Sequence, residues 1–205
     1  FYLSLNISFS QNQSLADSLI NAHTFGKYEN ELNILAQIIL EETNPDRKIE
    51  FSELLISKAL KDSSFNYLYN GYLQKGNALQ FKGDNAESLK SYLKSLEYAN
   101  RTNDERGIGS LMISIADNYS VIGNSKNAQK YYKKGIEQLR KTNDSVKIAT
   151  ALLNAGDDYF NAGELDSALA YSKESEKIFK KLNYNIGVAY STGNIGMINA
   201  ELGNH

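Results

Sequence analysis

Apolar and small side chains recur with a helical period along most of the chain. In 105–121, Met112, Ile115, Ala116 and Tyr119 fall at i, i+3, i+4 and i+7, one stripe of an α-helix. Leu152, Ala155, Gly156 and Tyr159 repeat that phase. A second stripe, Ala128, Tyr132, Gly135 and Leu139, is matched by Ala168, Ser172, Ser175 and Phe179. The small members permit close helix crossing and the large ones fill the gap. Between the two stripes stands a glycine: Gly83, Gly123, Gly163 and Gly203, each 40 residues after the last (123 − 83, 163 − 123, 203 − 163). In "FKGDNAES", "VIGNSKNA" and "NAGELDSA" the glycine ends an apolar-periodic run and an Asp, Asn or Glu follows. That is a left-handed C-cap and then a new N-cap, so Gly123 and Gly163 are expected at positive φ. Asn103, Asn143 and Asn183, in "RTND", "KTND" and "KLNY", share the same spacing and predict the other turn, Asn being the best non-glycine residue for a left-handed cap. Lys141 and Lys181 suit the negative end of a helix dipole.

Each unit is thus helix A, a Gly turn, helix B and an Asn turn, which divides the chain into 65–104, 105–144, 145–184 and a half unit 185–205. A degenerate unit, 25–64, precedes them in register: Leu32, Leu35, Ala36 and Ile39 hold the core phase, and Pro45 in "TNPD" starts a helix where the Gly turn would be. Residues 13–22 predict a lone helix within an N-terminal segment 1–24, the second half of an earlier unit or a cap. "FYLSLNISFS" at 1–10 has two readings, the tail of a secretory signal peptide or an ordinary segment packed on the first helix. At the other end, 185–201 is a helix A with no B partner and with Val188, Ile195, Met197 and Ile198 around much of its surface. The expectation is that the chain continues into a further helix B, and that the fragment alone associates weakly end to end through this face.

Composition narrows the function. The net charge is −2, from 22 basic and 24 acidic residues, so no broad positive field gathers nucleic acid. There is no cysteine, which excludes disulfides, thiolate catalysis and cysteine zinc sites. His23 and His205 are the only histidines and stand far apart, against a triad or a multi-histidine metal site. No metal or cofactor is expected. No apolar run reaches the length of a membrane span, so no direct membrane insertion is expected. "GIGS" at 107–110 lacks the Lys-Ser/Thr and preceding strand of a phosphate loop. Asp157 and Asp158 point about 100° apart on a helix and make a poor catalytic pair. The basic, tyrosine-containing run 126–141 reads as a solvated outer face.

With these residues in view, the chain resembles the tetratricopeptide repeat family. "SIADNYSVIGNSKNAQKYYKKG" (114–135) matches the family pattern at Ala116, Tyr119, Gly123, Ala128 and Tyr132, and "NAGDDYFNAGELDSALAYSKES" (154–175) matches at Gly156, Tyr159, Gly163 and Ala168. The 65–104 unit matches at Gly76 and Gly83 but departs at Leu79 and Ser88. The period exceeds the usual one of about 34, and the usual proline at the unit end is replaced by the Asn turn. This is similar to the longer-helix subtype of bacterial peptide-sensing regulators and of sensor regions ahead of histidine kinases or nucleotide cyclases. The resemblance implies an all-α, right-handed α-solenoid of antiparallel helix pairs over 25–205. HEAT-like helical repeats, which share the period, are the alternative. The strandless pattern excludes a propeller.

In this family helix A lines the inner surface. By phase the inner positions are Asn30, Asn33 and Gln37; Asn70, Leu73, Asn77 and Gln80; Ser110, Ile113, Asp117 and Ser120; Thr150, Leu153, Asp157 and Phe160; and Tyr190, Gly193 and Met197. One row runs Gln37, Asn77, Asp117, Asp157, Met197, beside an apolar row of Leu73, Ile113 and Leu153. Amides both donate and accept, and carboxylates accept, so the rows suit an extended peptide with a basic or amine group. The candidate ligand-groove residues are therefore Asn33, Gln37, Asn70, Leu73, Asn77, Gln80, Ile113, Asp117, Leu153, Asp157, Phe160 and Tyr190. No Lys or Arg lies on these rows, so a clamp for a C-terminal carboxylate is not expected. The implied function is protein or peptide binding without catalysis, as the sensing or scaffolding region of a larger bacterial signalling protein. The alternative is a helical-repeat hydrolase or enzyme accessory domain using Asp117 and Asp157. Exported and cytoplasmic locations both fit the sequence.

Overall fold

The computed structural model describes residues 12–26, 30–102 and 104–203. Among them it holds ten α-helices and no strand: α1 Gln13–Phe25, α2 Glu31–Glu41, α3 Pro45–Lys61, α4 Phe65–Phe81, α5 Asn85–Ala99, α6 Glu105–Val121, α7 Ser125–Leu139, α8 Ser145–Asn161, α9 Leu165–Lys181 and α10 Asn185–Glu201. From α4 onward, helices A start at 65, 105, 145 and 185 and helices B at 85, 125 and 165, two sets of 40-residue steps. The residues 1–10 of the N-terminal reading, and Asn103, lie outside the described residues.

The described helices fall into two compact units, α1–α5 and α6–α10. In the first, α1 packs on α2, α2 on α3, α3 on α4 and α4 on α5, and α2 also touches α4. In the second, α6 packs on α7, α7 on α8, α8 on α9 and α9 on α10, while α6 touches α8 and α8 touches α10. Within each unit, therefore, the first helices of successive pairs adjoin.

The Gly turns form as the pattern predicts. Gly83, Gly123, Gly163 and Gly203 have φ of 81°, 75°, 76° and 73°. Beyond them, Asp84 and Asn124 cap α5 and α7 through the backbone N–H of Glu87 and Asn127. Glu164 makes no such cap. The "TNPD" turn uses other means. Pro45 takes the first helical position of α3, and Asn44 accepts from the N–H groups of Asp46 and Arg47. Fully buried Glu42 accepts from Asn44 N at 2.8 Å and pairs with Arg47 Nε at 3.1 Å, so its charge is compensated.

The Asn turns differ from the expectation. Among the described residues only Ser63 and Asn183 are non-glycines at positive φ, 52° and 54°, and Asn143 is not. The cause lies one residue upstream. In "KTND" the Thr142 hydroxyl donates to Leu139 O at 2.7 Å and accepts from Asp144 N at 3.3 Å. That closes α7 at Leu139 without a left-handed residue, and leaves Lys141 beyond the helix. Thr102 does the same to Ala99 O, at 2.7 Å. "KLNY" has no hydroxyl at Leu182, α9 runs on to Lys181, and Asn183 takes the left-handed cap.

The cores follow the two stripes. Ala116, Ala128, Tyr132, Leu139, Leu152 and Ala155 form one cluster in the second unit, with Tyr119 and Tyr171 packed on it. The first unit centres on Leu35, Ile38, Ile39, Leu55, Ala59 and Leu68. Tyr119 stacks on Tyr131 with centroids 5.7 Å apart, and forty residues on Tyr159 stacks on Tyr171 at 5.1 Å. Helix crossings are tight: a Cβ at Gly76 would lie 2.6 Å from the Tyr92 ring.

Candidate functional site

In each unit, hydrogen bonds build up on the helices A from a buried tyrosine in helix B. In the first unit Tyr92, fully buried on α5, points its hydroxyl at Asn77 Oδ1 (2.8 Å) and Gln80 Oε1 (2.9 Å) on α4. Asn77 Nδ2 reaches Gln74 Oε1 at 3.4 Å. In the second unit Tyr132, also fully buried, donates to Asp117 Oδ1 on α6 at 2.6 Å. Both tyrosines sit 15 positions after their acceptor. The same Asp117 oxygen accepts Asn154 Nδ2 from α8 at 3.1 Å. One turn along α8, Asp157 Oδ1 accepts Nδ2 of Asn194 on α10. Both Asp–Asn bonds span 37 positions. Ser172 stands where a third tyrosine would be, so Asp157 has no phenol beneath it.

These carboxylates are held in an unfavourable medium. Burial raises the pKa of Asp117 to about 6, the nearby Asp158 charge adds to the rise, and the bonds from Tyr132 and Asn154 oppose it. Burial likewise raises Asp157 to about 6, against the positive charge of the chain's amino terminus and the bond from Asn194. Asp158, 1% exposed, takes the Ser120 hydroxyl, and burial raises its pKa too.

The other sequence-predicted positions are spread more widely. Asn33 and Gln37 on α2 and Asn70 on α4 are exposed, and Leu73 is half-buried. Phe160 is half-buried on α8, and Tyr190 on α10 is 44% exposed. The apolar row needs correction. Leu153 is 2% exposed and packs with Ala149 and Phe179, so its side chain belongs to the core of α8 and α9. Ile113 is half-buried, with Cδ1 2.6 Å from where a Cβ on Gly135 would stand. It fills the space the glycine leaves. The phase that looked outward is turned into the helix A–helix B crossing.

Sequence reasoning named Asn77, Gln80, Asp117 and Asp157 but missed the residues that orient them, Tyr92, Tyr132, Asn154 and Asn194. The twice-repeated spacings of 15 and 37 were the available signal. Among the described residues no cluster of three His, Cys, Asp or Glu side chains is arranged to hold a metal, and no helix is long and apolar enough to cross a membrane.

A family model described as tetratricopeptide repeat matches residues 69–102. A search of the curated proteins gives no match. Among solved structures, BtubC (BKLC) from P. vanneervenii superimposes with a TM-score of 0.74 at 14% identity, over 95% of this chain and 82% of that one. A signal-transduction ATPase with numerous domains and a tetratricopeptide repeat sensor, from Pyrococcus horikoshii, gives 0.76 at 16% identity, over 90% of this chain. A Rap protein complexed with competence and sporulation factor gives 0.69 at 15% identity, over 93% of this chain. This chain spans only 29% of that ATPase and 54% of that Rap protein. At such identities the likeness is one of fold. The family match makes α4–α5 a tetratricopeptide repeat, and the helix-pair architecture of these solved structures is shared along nearly the whole length of this chain.

Proposed function

We propose that this chain is a protein- or peptide-binding repeat domain, with ligand-contacting positions on the helices A of each unit, Asn77 and Gln80 in the first and Asp117 and Asp157 in the second. One observation carries the proposal. In both units a buried tyrosine fixes a polar side chain that is itself only half-buried, so the exposed edge of a hydrogen-bonding group is oriented by the core. Such preorganisation lowers the entropic cost of binding. Likeness to a Rap protein complexed with a competence and sporulation factor, and to a sensor region of a signalling ATPase, supports the same reading. We place the domain in the sensing or scaffolding region of a larger bacterial signalling protein, with units 25–64, 65–104, 105–144 and 145–184 and a half unit from 185. The apolar side chains Ile186, Tyr190 and Met197, 58%, 44% and 53% exposed on α10, support weak self-association there.

A screen of random peptides against the immobilised chain tests the binding reading. Selected peptides are expected to lose at least tenfold in affinity for the Asn77→Ala, Asp117→Ala double variant, with helicity unchanged. Undiminished affinity would move the site elsewhere. The hydrolase alternative draws on the same two carboxylates. It predicts a hydrolytic activity abolished by Asp117→Asn or Asp157→Asn, and a substrate screen with those variants decides it.

A further inference from the structure

Asn154 gives its Nδ2 to Asp117, and its own Oδ1 is buried with no partner, in a side chain 2% exposed. The partners of Asp117 and Asp157 named above, Tyr132, Asn154 and Asn194, are all neutral. Among the described residues no lysine, arginine or histidine pairs with either aspartate; Arg106 bonds Asp144 and Arg140 bonds Glu174 instead.

Two deficits therefore coincide. A buried carbonyl oxygen lacks a donor, and among the described residues no basic side chain pairs with either of two carboxylates partly withdrawn from water. Burial acts on both aspartates in the same sense. Asn154 and Asp157 are three residues apart on α8, hence neighbours on one helix face, and Asp117 is bonded to Asn154. A group with several N–H donors and a positive charge meets both deficits at once. A hydroxyl, an amide or a carboxylate does not.

We propose that Asp117, Asn154 and Asp157 form a subsite for a cationic nitrogen of the ligand, the ammonium or guanidinium of a basic side chain or the free amino terminus of a peptide. This rests on the peptide-binding reading above and names the chemical group that anchors the ligand. Asn154 accepts one N–H through Oδ1, the two carboxylates supply the counter-charge, and Tyr132 and Asn194 hold them in place.

The test uses the 15N-labelled 205-residue chain and three probes. They are acetyl-Ala-Lys-Ala-amide, the same peptide with norleucine for lysine, and the norleucine peptide with a free amino terminus. The lysine peptide is expected to shift the side-chain amide signals of Asn154 and Asn194 saturably, and at least tenfold more tightly than the capped norleucine peptide. The third probe distinguishes an amino-terminal anchor from a side-chain one. Asp117→Asn with Asp157→Asn should weaken lysine-peptide binding at least tenfold. If the double substitution lowers helicity, Asp117→Asn alone carries the comparison, since Asn77 beside Tyr92 shows that an amide suits this position. Equal binding of lysine and capped norleucine peptides overturns the subsite and leaves the peptide-binding reading standing. Undiminished lysine binding in the variants, or no response at Asn154 to any probe, also overturns the subsite, while the fate of that reading is decided separately by the selected peptides.

Discussion

Asn77 beneath Tyr92 and Asp117 beneath Tyr132 are the same position in two units, with one atom type changed. The phenol reaches Oδ1 at 2.8 Å in the first and 2.6 Å in the second. An amide thus satisfies the buried phenol without placing a charge beside the core. The fold requires an acceptor here and nothing more. The carboxylate of Asp117 is an addition, and its pKa, raised to about 6 chiefly by burial, marks it as unfavourable to folding at neutral pH. The difference separates what this position does for stability from what it offers a ligand.

The largest expected effect breaks the pair at its phenol. At pH 7.5, Tyr132→Phe should destabilise by about 2 kcal/mol, because a half-buried ionised acceptor loses a donor, and Tyr92→Phe by about 1 kcal/mol, because only neutral amides are affected. Denaturant unfolding of both variants measures the gap, and equal losses would erase the distinction. Next comes Asp117→Asn. Its folded pKa, about 6, lies above the ordinary 3.8. The native state therefore binds the proton more tightly, and this contribution to stability is complete below pH 3.8 and lost as pH rises through about 6. The variant should match the parent near pH 4 and exceed it at pH 7.5 by about 1–2 kcal/mol, screening at the exposed edge of the carboxylate included. Thermal melts at the two pH values report it.

The turns serve as a control, being alike in both units. Gly83→Ala and Gly163→Ala, at φ 81° and 76° with nothing near the new Cβ, should each cost about 1 kcal/mol from backbone strain alone. Unequal losses would show that the units differ in more than their polar row. The smallest effect is at the Asn turns. Asn183→Gly should gain a few tenths of a kcal/mol, relieving a left-handed non-glycine, and Asn143→Gly should gain nothing.

What could be read from the sequence was local. A left-handed glycine cap or a proline at the first helical position depends on residues within one turn, so Gly123, Gly163 and Pro45 announced themselves. The 40-residue spacing then gave the helix pairs. Asn143 misled because Thr142, beside it, closes the helix by a hydroxyl bond that Leu182 cannot make at the corresponding place. Leu153 misled because helical phase separates the faces of a helix but does not say which neighbour covers them, and Phe179 covers this one. Asn77, Asp117 and Asp157 were legible as equivalent positions on successive helices A. Their supports on other helices were not, since Tyr132 and Asn154 meet Asp117 only after the helices cross.

The most direct measurement is a carbon-detected NMR titration of the Asp117 side-chain carboxyl in the free protein. The account predicts a midpoint near 6, the value set by burial against the two bonds it receives. A midpoint at or below the ordinary 3.8 would mean that the fold itself stabilises the charge, and would contradict the claim that this carboxylate is kept for a ligand.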